Sequence, residues 1–381
     1  RSAAKLLASQ GLSPLEITLK DSGSTKGLGK YLHRVKTKDK ILFSRQLSTL
    51  INAGLPLVQS LRSVSTQTQS KPLQVVIGQV INDVEGGSAL SVALGRHPDV
   101  FNRIYISLIA AGETSGTLDK ALERLAMQQE KDAEILSKVR GAMVYPAIVL
   151  VVMFMVVGFM IVKVLPQVEV IYEGLPNATL PLVTRILLGI SHFIIDRWWV
   201  VLIAIGLLIF FGGRWIKTLG GRRYVDKFKM RAWPFGQLFM KLYMARFART
   251  GTTLVASGVP LLQVLDITAN AINNVHIEKS LAKAGEKVKG GKALSAALKG
   301  DPNFLELVPD MLSIGEQSGS MEDMLAKTAD YYEKEVDSQI KTISTIIEPV
   351  LMIIMGVFAF IIVAAVLLPI YSLAGQSGFG G

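Results

Sequence analysis

The sequence predicts an all-α membrane protein made of two homologous helical-bundle domains and three transmembrane helices. Three observations lead to this fold class. A set of motifs occurs twice in the 381 residues. Three long apolar stretches follow or separate the two copies, and half of the chain is hydrophobic. Outside those stretches, apolar residues recur at the helical spacing i, i+4, i+7 and i+8, and no segment alternates at period two over the length of a strand.

An internal duplication organises the chain. Phe43-Ser44-Arg45 returns 204 residues later as Phe247-Ala248-Arg249, and Gly112 to Gly116 returns 203 residues later as Gly315 to Gly319. One small deletion therefore separates the copies. A repeat of this length indicates a duplicated domain, because solenoid units span only about 20–50 residues. Further matched segments are Ala53 to Leu57 with Ser257 to Leu261, Gly86 to Ser91 with Gly290 to Ser295, and Pro146 and Pro166 with Pro349 and Pro369.

Three stretches are apolar and long enough to cross a bilayer. Ala142 to Val162 and Pro349 to Tyr371 run for 21 and 23 residues without a charged side chain, and a hydrocarbon core needs about 20 helical residues. The middle stretch, Trp198 to Gly213, is shorter and has Asp196 and Arg197 at its edge. We place the transmembrane helices at residues 142–165, 194–213 and 348–371.

The duplication constrains the topology. Each repeat is followed by one span, so one further crossing must lie between the repeats if both domains face the same side. The second span, which has no counterpart in the duplication, supplies that crossing. Lys131, Lys138 and Arg140 precede the first span, whereas few charges follow it. The positive-inside rule therefore predicts that both domains and the N-terminus are cytoplasmic and the C-terminus is extracytoplasmic.

The predicted organisation has eight parts along the chain, in keeping with the repeats and the spans. They are an N-terminal cytoplasmic extension (1–36), the first bundle (37–141), the first span (142–165), an extracytoplasmic loop (166–193), the second span (194–213), a basic juxtamembrane segment with the second bundle (214–347), the third span (348–371) and an extracytoplasmic tail (372–381).

Glycine and proline mark the helix boundaries inside each bundle, which we expect to contain about five or six helices. Gly54 and Gly258 suit the position that follows a helix, and Pro56 and Pro260 suit the first turn of the next one. The last helix of each bundle is expected to continue into the membrane. Thr117 and Ser320 are predicted N-caps of these last helices, and Pro146 and Pro349 are predicted to kink the spans.

The motif Gly-Glu-x-Ser-Gly contains the most distinctive polar residues of both repeats. Its final glycine is expected to supply a turn. Its glutamate has three interpretations: a carboxylate that caps a helix or stabilises a turn, a contact for a partner or another domain, and a ligand of a divalent metal. A second repeated acid, Glu130 and Glu333, is interpreted as part of a solvated helix face. The residues kept as candidates for partner docking or a structural turn are Gly112, Glu113, Ser115, Gly116, Gly315, Glu316, Ser318 and Gly319.

Basic residues are concentrated just after the second span. Eight lysines and arginines lie between Arg214 and Lys241, against the single acid Asp226. Because the cluster adjoins a span and no nucleic-acid-binding motif accompanies it, we interpret it as a membrane-surface cluster for anionic lipids and expect no nucleic-acid partner. The cluster consists of Arg214, Lys217, Arg222, Arg223, Lys227, Lys229 and Arg231.

Signatures of enzymes are missing from the sequence. There is no cysteine, and the four histidines are at least 60 residues apart. The glycine-rich stretch Gly23 to Lys30 has the wrong spacing for a phosphate-binding loop. We therefore expect no catalytic residues, no cofactor and no bound metal. The spans carry little ionisable chemistry at mid-bilayer, which disfavours transport; a membrane permease or transporter component remains the alternative function.

Together these motifs resemble one family, the inner-membrane platform proteins of type IV pilus and type II secretion systems (PilC/GspF type). The similarity runs from about Ala3 to Tyr371. One departure stands out: Gln46-Leu47 becomes Thr250-Gly251, which places a glycine inside a predicted helix. The segments that carry the resemblance are Gln10 to Ile17, Phe43 to Leu50, Ala53 to Leu57, the Gly-Glu-x-Ser-Gly motif, Ala142 to Pro146 and Arg246 to Arg249.

The resemblance implies a non-enzymatic assembly platform in the bacterial inner membrane. Its bundles would dock a hexameric assembly ATPase, and in some systems a retraction ATPase, together with inner-membrane alignment proteins. Its spans would contact the transmembrane helices of pilins or pseudopilins. The resemblance further implies a homodimer or higher oligomer. The departure at Thr250-Gly251 suggests that the two bundles have different partners.

Overall fold

The computed structural model describes residues 35–173 and 182–377, and within these ranges the chain forms helices and no strands. The all-α membrane fold predicted from the sequence is confirmed. The N-terminal extension lies almost wholly outside the described residues, as do the segment Gln10 to Ile17, part of the 166–193 loop and the end of the tail.

Each repeat folds as a bundle of six helices, the last of which is far longer than the others. In the first repeat the helices are α1 (Thr37–Asn52), α2 (Leu57–Gln67), α3 (Lys71–Glu85), α4 (Leu90–Gly95), α5 (Arg103–Ser115) and α6 (Leu118–Phe159). Between the repeats lie a π-helical turn (Met160–Val164), α7 (Leu165–Glu173), α8 (Leu182–Asp196), α9 (Trp198–Ile216) and α10 (Leu219–Arg231). In the second repeat they are α11 (Phe235–Ala256), α12 (Leu261–Ile272), α13 (Val275–Lys289), α14 (Leu294–Leu298), α15 (Leu307–Ser318) and α16 (Met321–Ser377).

The last helix of each repeat runs from the bundle into the membrane without a break. α6 contains 42 residues and α16 contains 57. Their first turns carry Asp119 and Glu322, whose negative charges stabilise the helices by interacting with the positive end of the helix dipole. Pro146 and Pro349 lie inside these helices and neither ends its helix; a kink at either position stays a prediction.

Three helices of the described chain are long and apolar enough to cross a membrane, in agreement with the three predicted spans. They are α6 with its π-helical continuation, α9, and α16. No residue of α9 is buried, so this span packs little against the other two.

The segment between the first two spans differs from its prediction as a loop. Residues 165–173 and 182–196 are helical, because both stretches are rich in apolar residues at helical spacing. The predicted second span therefore begins later than expected: α8 and α9 are separate helices that meet at Arg197, and α9 runs from Trp198 to Ile216. At the C-terminus, α16 extends to Ser377, past the predicted start of the tail.

The two repeats share a core. The buried cluster of the first repeat, built around Phe43, Leu47 and Leu122, also contains Val264 and Ile267 from α12 of the second repeat. A smaller cluster joins Ile135 of α6 to residues of α11 and α16 just before the membrane. The two bundles therefore form one body whose core is continuous across the duplication.

Candidate partner-docking site

The Gly-Glu-x-Ser-Gly motif lies at the C-terminal end of a helix in each repeat. Gly116 and Gly319 follow α5 and α15 in the left-handed conformation, each with φ of 70°. The first glycine has a different role. A Cβ on Gly112 would lie 2.6 Å from the Cβ of Ala121, and a Cβ on Gly315 would lie 3.0 Å from the Cα of Met321. The first glycine lies inside its helix, and its lack of a side chain allows the last helix of the bundle to pack closely.

The glutamate of the motif caps a neighbouring helix. Leu90 N–H donates to Glu113 Oε1 at 2.5 Å, and Ser91 N–H donates to Glu113 Oε2 at 3.0 Å. Both donors lie in the first turn of α4, where no intrahelical acceptor exists. The short helix has Ala89 at its N-cap position and no side-chain cap of its own, so the carboxylate supplies the missing acceptors.

The second repeat reproduces this cap. Leu294 N–H donates to Glu316 Oε1 at 2.5 Å, and Ser295 N–H donates to the same oxygen at 3.3 Å. The hydroxyl of Ser295 donates to Glu316 Oε2. In both repeats the carboxylate thus ties the first turn of the short helix to the end of the following helix.

The hydroxyls around the motif bond locally. Ser115 Oγ donates to the carbonyl of Ala111 at 2.8 Å and lies 2.6 Å from Thr117 Oγ1. Thr117 occupies the predicted N-cap position of α6, but its side chain makes no capping hydrogen bond, because the hydroxyl is paired with Ser115. Ser318 and Ser320 form the equivalent pair at 2.6 Å.

The repeated glycine and proline after the first helix of each bundle form a tight connection. Gly54 and Gly258 have φ of 82° and 76°, which explains the glycine at this point. Pro56 and Pro260 occupy the N-cap positions of α2 and α12, one residue before the first turn in which we expected them.

A repeated ion pair, which the sequence interpretation missed, joins the first and last helices of each bundle. Arg45 Nε donates to Glu130 Oε1 at 2.7 Å, and Arg249 Nε donates to Glu333 Oε1 at 2.8 Å. The interpretation as a solvated helix face fits Glu130, whose side chain is 40% exposed, and was wrong for Glu333, whose side chain is 16% exposed. Hydrogen bonding to Arg45 holds the pKa of Glu130 below its ordinary value. The signal was present in the sequence, since an arginine and a glutamate are both duplicated.

The second ion pair is the more enclosed. The side chains of Arg249 and Glu333 are 21% and 16% exposed, against 38% and 40% for the pair in the first repeat. Burial alone lowers the pKa of Arg249, but hydrogen bonds from its guanidinium to Glu333 and Asp330 outweigh that effect and raise the pKa.

A crevice of about 260 Å³ with polar and apolar lining lies where α6 meets the second repeat. Gln128 Nε2 donates to Thr250 Oγ1 at 3.0 Å across it, and both side chains are buried. Gln128 Oε1 has no hydrogen-bond partner among the residues that the structure describes. Asp132 also lines the crevice, and loss of hydration there raises the pKa of its carboxyl despite the opposing charge of Arg246.

The departure Thr250-Gly251 belongs to this interface. Thr250 supplies the hydrogen bond across the repeats, where the first repeat has Gln46 on an exposed part of α1. Gly251 leaves room for Leu325, whose Cδ1 would lie 3.3 Å from an added Cβ. The glycine is thus used for close packing of α11 against α16.

The basic cluster begins at Arg214 in the last turn of α9 and continues through α10, a helix with two different faces. The inward face of α10 carries Asp226, which accepts the N–H of Val275 at 3.1 Å and lies 3.9 Å from Arg222. The outward face combines basic and aromatic residues. The only acid of the helix, Asp226, lies on the other face. Exposed members of that face are Arg223, Tyr224, Lys227, Phe228 and Arg231.

Among the described residues, no group of three or more His, Cys, Asp or Glu side chains is arranged to hold a metal ion. The carboxylate oxygens of the two motif glutamates accept backbone N–H groups, where a metal site would need them as metal ligands. The outward parts of the two motifs are the residues Thr114 to Gly116 and Gln317 to Gly319, which are exposed.

Comparison with known proteins gives the same duplication. The family model of type II secretion system protein F matches twice, over residues 43–166 and 247–369. The chain is 39% identical over 384 residues to the type IV pilus assembly protein PilC of Thermus thermophilus, covering 98% of this chain and 93% of that protein. It is 33% identical to PilC of Pseudomonas aeruginosa, covering 98% of each chain.

A type II secretion protein is similarly related. The type II secretion system protein F of Xanthomonas campestris is 33% identical over 376 residues, which cover 98% of this chain and 92% of that protein. Similarity over nearly the full length, together with the two matched regions, shows that the chain belongs to the type II secretion system protein F family, whose members include the type IV pilus assembly protein PilC.

Proposed function

We propose that this protein is the inner-membrane platform of a type IV pilus or type II secretion machine, and that it couples a cytoplasmic assembly ATPase to the insertion of pilin subunits into a fibre. The observation that carries the proposal is the continuity of α6 and α16. Each begins in a bundle and ends in the membrane. A force applied to a bundle therefore reaches a span through unbroken helix.

The two helices are long and braced against each other. At 1.5 Å per residue, α6 and α16 extend for about 63 Å and 86 Å. Lys138 of α6 donates to Asp337 Oδ2 of α16 at 2.6 Å just before the membrane, and an apolar cluster containing Ile135 and Val336 lies beside this contact. This bracing favours movement of the two stalks as a unit.

The bundles are the proposed docking surface for the assembly ATPase, for a retraction ATPase where one exists, and for inner-membrane alignment proteins. The motif glutamates face inward, so we assign docking to the exposed residues 114–116 and 317–319 and their surroundings. Thr250 and Gly251 are buried between α11 and its neighbours, so this difference lies away from any docking surface, and different partners for the two bundles stay a prediction.

The spans are the proposed contact for pilins or pseudopilins. An apolar groove of about 400 Å³ lies between the first and third spans, with Val152 and Met153 on one side and Phe358 and Ile362 on the other. Pilin transmembrane helices are apolar, and a groove without polar groups would let one pass without desolvating a charge.

The outward face of α10 is the proposed contact with anionic lipids. Tyr224 and Phe228 are 71% and 72% exposed and share this face with Arg223, Lys227 and Arg231. Aromatic rings favour the headgroup layer and basic side chains favour anionic headgroups. We therefore propose that both bundles, the N-terminus and α10 lie on the cytoplasmic side of the inner membrane, and that the C-terminus lies on the extracytoplasmic side.

The exposed surface of α9 supports assembly into a homodimer or a higher oligomer. We propose no cofactor, no nucleic-acid partner and no enzymatic activity. Flux of a substrate into proteoliposomes that contain this chain alone would instead favour a permease.

The continuity of α6 can be tested by insertion. A flexible Gly/Ser insert of about two helical turns after Gly141 would separate bundle from span, whereas an alanine-rich helical insert of equal length would preserve stiffness. We expect the flexible insert to abolish fibre assembly while ATPase binding persists, and the helical insert to retain part of the assembly. Equal assembly with both inserts would refute coupling through this helix. If the unmodified chain did not bind the assembly ATPase, the platform function itself would be refuted.

A further inference from the structure

The extracytoplasmic ends of the first and third spans each contain a backbone carbonyl that proline leaves without its usual donor. In α16, the carbonyl of Ala365 would accept the N–H of residue 369, but that residue is proline. In the first span, Leu165 N–H donates to the carbonyl of Met160 in the π-helical turn. The carbonyl of Ile161 would then require the N–H of residue 166, which is also proline.

The spacing between the open carbonyl and the proline is one residue longer in the first span than in the third, because the first span contains the π turn. Pro166 and Pro369 are equivalent in the duplication, yet the carbonyls lie five and four residues before them. A π-helical hydrogen bond spans five residues and an α-helical one spans four. Each repeat proline therefore leaves one carbonyl open in its own span.

Helix α8 supplies a hydroxyl to both carbonyls. Ser191 Oγ donates to the carbonyl of Ile161 at 2.6 Å, and Thr184 Oγ1 donates to the carbonyl of Ala365 at 3.1 Å. Both side chains have no exposed surface. They are seven residues apart, two helical turns, so they lie on one face of α8. Leu188 lies on the same face and packs with Leu165 and Ala365.

The opposite face of α8 is suited to lipid. Leu182, Ile186, Ile190 and Phe193 are between 44% and 73% exposed and form an apolar stripe that suits hydrocarbon. Exposed Arg185 and His192 lie to one side of this stripe, and His192 pairs with Glu169 of α7. In hydrocarbon no water is at hand to satisfy an open carbonyl. A hydroxyl that reaches it is then worth more than the same contact at an aqueous surface.

We propose that α8 is an intramembrane clasp that joins the outer ends of the two repeat spans through Thr184 and Ser191. The clasp fixes the first and third spans to each other on the side of the membrane opposite the bundles. If the chain acts as the proposed platform, movement of the bundles would tilt the paired spans about a fixed outer end. The structural part of the proposal does not depend on that function.

The test is a double-mutant cycle on the full chain in lipid nanodiscs, with the melting temperature as the readout. Ser191→Ala is expected to lower the Tm by about 2 °C or more, the shift expected from one lost hydrogen bond. In a Pro166→Ala background, which restores a backbone N–H, the same substitution should lower the Tm by less than half as much. Thr184→Val and Pro369→Ala form the equivalent cycle in the third span.

Two controls separate this role from general packing. Thr184→Ser keeps the donor and should retain most of the wild-type Tm. Thr345→Val removes an exposed hydroxyl that donates only to a carbonyl of its own helix, that of Lys341, and should leave the Tm unchanged. An equal effect of Ser191→Ala with and without Pro166, or a loss in Thr184→Ser as large as in Thr184→Val, would overturn the clasp.

The absence of cysteine permits a direct measurement of the distance between the spans. Spin labels at Gln167→Cys and Tyr371→Cys, both exposed positions near the outer ends, should give a narrow distance distribution. The Thr184→Val/Ser191→Ala chain should give a broader one. An unchanged distribution would show that the spans are held together without the hydroxyls. Neither readout involves fibre assembly, so failure of the clasp and failure of the platform function are distinguishable.

Discussion

Replacement of Glu113 by alanine separates the two roles that the sequence leaves open for this residue, helix capping and partner docking. In the folded chain both carboxylate oxygens accept backbone N–H groups, at 2.5 Å and 3.0 Å. Alanine would leave the N–H groups of Leu90 and Ser91 without an acceptor. Since both of these residues are buried, water would replace the lost acceptors only in part.

The magnitude follows from the number of lost contacts. A hydrogen bond to a charged group contributes about 1.5–3 kcal/mol, and replacement of a capping residue by alanine costs about 0.5–2 kcal/mol. Two such bonds would contribute at least about 3 kcal/mol. Because the glutamate itself is only half-buried, water can replace part of this, and we expect about 2–3 kcal/mol for Glu113→Ala. Glu113→Gln keeps one acceptor oxygen and should lose about half as much.

Thermal unfolding of the full chain in detergent would check this expectation. A loss of 2–3 kcal/mol corresponds to a Tm lower by about 4–12 °C, and Glu316→Ala should behave similarly. Glu123→Ala, an exposed glutamate on α6 of the same repeat, is the matched control and should melt like the wild type. If Glu113→Ala melts within about a degree of wild type but no longer binds the assembly ATPase, capping is wrong and docking is right.

Three further predictions concern the stalks and the interface between the repeats. Glu333→Gln should lower the Tm more than Glu130→Gln, because the second ion pair is less exposed. The remaining partner of Arg249, Asp330, has a side chain that is 61% exposed, so it compensates the enclosed guanidinium only in part. Asp132→Asn should raise the Tm at neutral pH, because it removes a carboxylate that is ionised in the crevice at a cost in stability. Burial raises the pKa of Asp132, so this cost disappears as the pH falls to the ordinary pKa of aspartate. The difference in Tm between Asp132→Asn and the wild type should therefore shrink in acid. Thr250→Val removes the partner of a buried glutamine and should cost about 1–3 kcal/mol, measured by denaturant unfolding.

The fold was readable from the sequence because its strongest signals are local and repeated. Uncharged stretches longer than 20 residues identify spans, and glycines at fixed offsets identify helix ends. Gly116 and Gly319 illustrate the second signal, since both adopt a left-handed conformation that other residues avoid. Duplication doubled each of these signals and made an accidental match improbable.

Contacts between distant segments were harder to predict. Arg45 and Glu130 are 85 residues apart, and the duplication of both residues marks them as a pair of interest without showing that they contact each other. Ser191 and Thr184 lie in the segment without a counterpart in the duplication, so no repeat could draw attention to them. Their role depends on the open carbonyls of two other helices, which only the three-dimensional arrangement reveals.

The asymmetry of the repeats has a physical origin in α12. Ser60, Ser63 and Ser65 of α2 correspond to Val264, Ile267 and Ala269 of α12, so the second copy is apolar where the first is polar. The larger two of these side chains belong to the core cluster of the first repeat, whereas Ala269 belongs to that of the second. A helix with two apolar faces can bind two bundles at once, and a helix with one cannot. The second repeat is therefore adapted to hold the first, which means that a motor acting on either bundle would move both.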